Sequence, residues 1–257
     1  MQFEQWFPAF RQQLAERGLD LVWPFSVARL NASCPIEHRL PHSAPHSAPH
    51  SAPVRRDALG LVVGNGRALF TPFLRSLPAP ELLPPDPLDR YVEQSLERAL
   101  ESAPATLLIG YSHTLHPAPL PMQRYAEASG LARLGPAGLV VHPQLGPWLS
   151  LRAVVVFDLE PPAALPEPND SPCPGCAAPC RPAFERAVAA LTGTPPNELL
   201  SDPPNELVEA GLPVPAVLDG RQRLFLAARD ACPVGRQERF GQQQLAYHYV
   251  RDPALLR

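Results

Sequence analysis

With 257 residues, a formal charge of −3 and 45% apolar residues, the chain is long enough for one large domain, or one domain with a small appendage, around a sizeable core. The slight acidity removes the electrostatic ground for nucleic-acid binding, which asks for a basic face. No lysine occurs among the 22 basic residues, which excludes Schiff-base chemistry, a P-loop lysine and a lysine general base, while 36 prolines demand many stiff loops and element ends.

Residues 2–17 place Phe3, Trp6, Phe7, Phe10 and Leu14 on roughly one helical face, with Gly18 as the stop. This start is amphipathic and unlike a signal peptide, and no apolar run reaches the length of a membrane span. A cytoplasmic chain with no membrane partner is therefore expected. Residues 21–30, LVWPFSVARL, read as one strand with an edge-type proline at Pro24. Residues 42–53 are three perfect HSAP repeats. A proline in each repeat forbids the helix that would align their histidines, so a loop is expected there and not a metal site.

A short buried strand over residues 58–63 leads through Gly64-Asn65-Gly66 into a helix over ALFTPFLRSL. The glycine pair lacks the third member of a dinucleotide fingerprint and reads as a turn. Leu88, Tyr91, Val92, Leu96 and Leu100 recur at helical spacing within residues 86–100, the clearest helix of the chain. Residues 106–110 read as a strand, 121–131 as a helix, and 149–159, LSLRAVVVFDL, as a central strand rich in β-branched residues. The chain then turns proline- and cysteine-rich over residues 160–182. Helices resume over residues 183–191 and 242–249, and residues 192–215, with two copies of PPNEL, are loop-like. This alternation is too irregular for a doubly wound sheet. An α+β domain is expected, with residues 1–160 as the core and 161–257 as a cysteine-bearing C-terminal region packed on it.

Gly130, Gly135, Gly138 and Gly146 crowd beside the central strand, where glycine costs entropy unless the backbone turns sharply or touches something. Trp148 offers a flat apolar face with an N–H handle. Arg152, inside a buried strand, needs a carboxylate, a phosphate or an amide-bearing ligand. From the residues alone this is either a ligand-approach loop with a buried arginine or a core strand with a glycine turn and an internal ion pair. His142, before Pro143, reads as a hydrogen-bonded residue at a strand end, and His248 as a packed helix residue. Cys173, Cys176 and Cys180 form C-x2-C-x3-C, and Cys232 stands apart in ACPVG. Four thiolates suit a [4Fe–4S] cluster or structural zinc, although the ferredoxin run C-x2-C-x2-C-x3-C-P is not reproduced.

The segment GLARLGPAGLVVHPQLGPWLSLRAVVVF resembles the cblC-type cobalamin-processing family. So, in the same order along the chain, do FRQQLAERGLDLVWPFSVARLN, DALGLVVGNGRALFTPFLRSL, DPLDRYVEQSLERAL and ARDACPVGRQERFGQQQLAYHY. The resemblance implies a nitroreductase-like α+β fold, with a mixed or antiparallel sheet flanked by helices. It implies an oxidoreductase that takes the upper axial ligand from cobalamin by reductive decyanation or thiol-dependent dealkylation, or a carrier that delivers the cofactor. By position Gly138 matches the family's cobalamin-contacting glycine, with Gly135, His142, Pro143, Gly146 and Trp148 expected around the ring, and Arg152 matches an arginine that binds the thiol. The same segment is similar, more distantly, to the epoxyqueuosine reductases, cobalamin- and iron–sulfur-dependent tRNA-modifying enzymes. Their aspartate proton donor falls at His116 here, which makes His116 the expected proton donor. Electrons are expected from a thiol, a reduced flavin, a partner reductase or a cluster on the four cysteines, and a homodimer is within this reading. A third reading is a ferredoxin-like iron–sulfur electron carrier.

Overall fold

A computed structural model describes residues 2–42, 56–79, 82–115, 118–192 and 213–256. The HSAP repeats after His42, His116 and both PPNEL copies lie outside these residues. In chain order the elements are α1 (Phe3–Glu16), β1 (Leu21–Ser26), α2 (Val27–Ser33), β2 (Leu59–Asn65), α3 (Phe70–Ser76), α4 (Pro87–Leu100) and β3 (Thr106–Tyr111). They continue as α5 (Met122–Ala128), β4 (Arg133–Leu134), β5 (Val140–Val141), β6 (Ser150–Phe157), α6 (Cys180–Thr192), α7 (Gly220–Asp230) and α8 (Gln242–Val250).

The main sheet runs β1-β2-β6-β3, with every neighbouring pair antiparallel, so the expected α+β class holds and its sheet is the antiparallel kind. β6 is central, as its run of valines requires, because both of its faces are buried. Pro24 sits in β1 at the sheet edge, where a missing N–H costs least. One face of the sheet packs on α1, α3 and α4 through Trp6, Phe10, Phe73 and Leu96, set against Leu61, Val155 and Phe157. The other face packs on α2 and α5 through Leu30, Tyr125 and Ala126, set against Val62, Val154 and Val156. Trp6 meets Phe10 edge-on at 5.5 Å between ring centroids, a contact worth about 0.5–1.5 kcal/mol beyond its buried area. A third, smaller cluster gathers Trp148, Leu218, Leu226, Phe240 and Leu245.

Two sequence expectations are corrected. Residues 21–30 are not one strand, because the chain leaves the sheet at Ser26 and turns into α2. The Ser26 hydroxyl accepts the Arg29 N–H at 3.1 Å and donates to Asp57 Oδ2, while the Ala28 N–H donates to Asp57 Oδ1 at 2.8 Å. A serine cap of this kind is strong enough to end a strand. The second correction is α7, a helix the sequence reading passed over. It starts from a capping box in which Asp219 Oδ1 accepts the Gln222 N–H and Gln222 Oε1 accepts the Asp219 N–H.

Candidate functional site

The glycine-rich segment folds as a small hairpin followed by a tight turn. β4 pairs with β5, and the Gly135 N–H donates to the Leu139 carbonyl at 2.8 Å. Gly138 closes the hairpin at φ +67°, with the half-buried Phe184 ring of α6 standing against it. Beyond β5, His142 and Gly146 exchange both backbone hydrogen bonds, at 2.9 and 2.8 Å, around a turn that carries Pro143. His142 Nδ1 accepts N–H bonds from Gln144 and Leu145, so the ring proton belongs on Nε2, and burial lowers the pKa of this histidine. Gly146, at φ +59°, lies where a Cβ would collide with the Val234 carbonyl. Trp148 is buried, with the Arg229 guanidinium 4.5 Å and that of Arg239 5.6 Å from its ring centroid. Arg229 also donates to the Pro147 carbonyl at 2.7 Å and to the Leu149 carbonyl at 3.2 Å. Gly146 and Trp148 thus hold the loop against the chain's own C-terminal segment.

Beneath this hairpin the four cysteines come together. Cys173, Cys176, Cys180 and Cys232 line one small, largely apolar cavity, shared with Gly135, Val141 and Arg229. Cys180 and Cys232 are buried and Cys173 and Cys176 half-buried. Burial, then the neighbouring cysteines, pushes the thiols of Cys180 and Cys232 upward, against an opposing backbone hydrogen bond at each. Among the described residues no three His, Cys, Asp or Glu side chains stand gathered as a single metal ion would need.

Arg152 belongs to a different place. Val63 pairs with Ala153 and Gly64 with Leu151, so Arg152 is the extra residue of a β-bulge in β6. Strict alternation from Val154 and Val156 would send its side chain toward α2 and α5. The bulge instead re-aims it toward α4, which is what bulges beside functional sites do. Arg152 Nε donates to Asn65 Oδ1 at 2.7 Å, and Nη1 stands 4.0 Å from Asp89 Oδ1. Burial brings the arginine pKa down to about 10, with Asp89 opposing the shift, so the group stays cationic at neutral pH.

Asp89 opens onto a cleft of about 590 Å³ lined by Arg90, Glu93, His113 and Arg251. Arg251 Nη1 reaches Asp89 Oδ2 at 3.0 Å. His113 Nε2 is 3.0 Å from Glu93 Oε1 and its Nδ1 3.9 Å from Asp89 Oδ1. The sequence reading missed Asn65, Asp89, Glu93, His113 and Arg251. Its available signals were the Asp89–Glu93 spacing of one helical turn and the SHTLH run after β3. His248, on α8, is pushed down to about 3 by burial and then by Arg229, Arg152 and Arg251.

No family model matches the chain. A cyanocobalamin reductase / alkylcobalamin dealkylase of Danio rerio is 26% identical over 194 residues, covering 66% of this chain and 72% of that protein. The cblC-type resemblance is borne out. The crystal structure of a C. elegans B12-trafficking protein CblC, a homologue of human MMACHC, superimposes with a TM-score of 0.62. That match covers 99% of this chain and 95% of the CblC chain at 15% identity, so it bears on the fold alone. The likeness of fold therefore extends over the C-terminal region, where all four cavity cysteines lie. No described helix is long and apolar enough to cross a membrane.

Proposed function

We propose that the chain takes cobalamin as its substrate and removes the upper axial ligand, by reductive decyanation or thiol-dependent dealkylation, on a nitroreductase-like fold. The observation that carries this reading is the similarity to a protein whose name couples those two reactions, over 72% of its length. The reading assigns the corrin to the Gly138 face and the thiol to the Arg152 cleft, joined by the short stretch from Trp148 to Arg152. Gly138 presents bare backbone under one half-buried ring, so a corrinoid touching it displaces Phe184 into the open groove along α6. In the cleft, Arg90 and Arg251 hold the carboxylates of an acidic thiol compound, and Arg152 fixes Asp89 behind them. His113, steadied by Glu93, takes the thiol proton and leaves a thiolate to attack the alkyl carbon, the cobalt–carbon bond breaking with its electron pair left on cobalt and a thioether as the product. Burial of Trp148 and the valine-rich β6 beneath the loop excludes water from that side.

Mixing the purified protein with cyanocobalamin tests this directly. The visible spectrum should move toward a base-off form, and the corrinoid should stay with the protein on desalting. Phe184→Ala should strengthen retention and Gly138→Asp abolish it. No spectral shift and no retention in the wild type sinks the reading.

A further inference from the structure

We infer that Cys173, Cys176, Cys180 and Cys232 together hold an iron–sulfur cluster of the [4Fe–4S] class in the apolar cavity beneath the glycine hairpin. Three separate stretches supply the sulfurs: the 173–176 turn, the first residue of α6, and the segment just after α7. Thiols used only as small apolar filling scatter through a core, as the fifth cysteine does. Cys34 packs with Leu30 and Leu40 in the core between the sheet, α2 and α5. Three thiols from eight consecutive residues and a fourth from a remote segment, all facing one space, are instead the arrangement of a ligand set.

The turn that carries the first two cysteines is shaped for sulfur. The Cys176 N–H donates to the Cys173 carbonyl at 3.0 Å, and the Ala178 N–H donates to Cys176 Sγ at 3.4 Å. Ala178 reaches that sulfur only by adopting φ +53°, a left-handed conformation that costs a non-glycine residue about 1–2 kcal/mol. Such strain persists where the surroundings over-determine it. Backbone N–H groups aimed at cysteine sulfur stabilise the thiolate form and tune a bound cluster. Arg229, buried in the cavity wall, places a fixed positive charge beside a centre whose four thiolates leave it net negative.

The enclosure of one space by four cysteines favours a cluster over a lone ion. Tetrahedral zinc, with bonds of about 2.3 Å, draws its sulfurs to within about 4 Å of one another. The four cysteines border a cavity instead, and a cubane core, whose irons are spread over four corners, takes its thiolates from around a space. Its role rests on the cobalamin reading: the reduced cluster gives up one electron, cobalt(III) becomes cobalt(II), and cyanide leaves with the bonding pair. Reduced flavin or another low-potential donor then restores the electron.

The test is the metal content of the 257-residue chain purified anaerobically and without cobalamin. About four irons and four acid-labile sulfides per chain are expected, with broad visible absorption that bleaches on addition of dithionite. Reconstitution with ferrous iron and sulfide should restore the same centre in Cys34→Ala and fail in Cys173→Ser and Cys232→Ala, with circular dichroism checking that each variant folds. If those variants do not fold, the wild-type iron and sulfide count decides alone. One zinc per chain without sulfide overturns the inference, as does a metal-free chain that reconstitution leaves colourless. Cyanocobalamin binding is measured separately. Corrinoid retention without iron sinks the cluster alone, and iron without corrinoid retention sinks the cobalamin reading alone.

Discussion

At Gly146 the glycine loop meets backbone, not solvent. An alanine there must accept φ +59° and also displace the Val234 carbonyl. The left-handed penalty is about 1–2 kcal/mol, and overpacking against fixed backbone adds about 1–3 kcal/mol. Gly146→Ala should therefore lose about 3 kcal/mol in a urea titration. Gly220→Ala is the control, because nothing lies within 4 Å of a Cβ there and the residue opens α7. It should gain about 0.5 kcal/mol, and equal losses at both positions would show that the loop contact is not the cause. Arg152 makes a sharper functional case. Arg152→Lys keeps the charge but gives up the planar fork that spans Asn65 and Asp89, leaving the buried Asn65 Oδ1 unpaired at a cost of about 1–3 kcal/mol. On the proposed reading, KM for the thiol rises about tenfold or more while cyanocobalamin retention is unchanged. Parallel loss of both would make Arg152 a packing residue only.

At the scale of elements, α8 carries a titration that stability should register. His248 has its pKa pushed down to about 3, and burial also lowers that of His142 in the loop turn. Both lie below the unfolded value of about 6.5. Between about pH 6.5 and 3 the unfolded chain binds these protons more readily than the folded one. Their contribution is thus fully present above about pH 6.5 and is lost as the pH falls toward 3. Melting temperature should decline steadily below pH 6.5, and His248→Gln should flatten the decline; a wild-type Tm constant from pH 7 to 5 would contradict the assignment. The elements themselves were largely legible, because α1, α4 and β6 announce their period through Trp6, Phe10, Val92, Leu96 and the valines of β6. What sequence hid were places where one residue overrides the pattern. Ser26 caps a helix inside an apolar run, and the Arg152 bulge re-aims a side chain in a strand whose near-continuous apolar run gives no sign of a break. The glycines of the loop, expected to admit a ligand, meet other parts of the chain. Their nearest neighbours, Val234 and Phe184, are far away in sequence, so no local signal could name them. Asp89, His113 and Arg251 were hidden for the same reason, as each looks like an ordinary surface charge until the sheet brings them together.

At the scale of the whole molecule, the C-terminal region is tied to the sheet by shared residues. On α8, Tyr247 belongs to the cluster under α1 and α4, while its near neighbour Leu245 belongs to the cluster around Trp148. Leu256 enters the first cluster as well, and Arg229 of α7 clamps Pro147 and Leu149 at the foot of β6. Unfolding the C-terminal region would expose apolar surface in the first core and leave buried charge and carbonyl groups without partners, so the chain should melt as one cooperative unit. The three tryptophans make this measurable, since Trp6, Trp23 and Trp148 each sit in or against a different apolar cluster. Single-tryptophan variants, with the other two changed to phenylalanine, should give urea midpoints that coincide with one another and with far-ultraviolet circular dichroism. A Trp148 midpoint clearly below those of Trp6 and Trp23 would mean that residues after β6 open on their own. The cysteine cavity and the Arg251 end of the cleft would then be assembled by docking, and their occupants would stabilise the C-terminal region selectively.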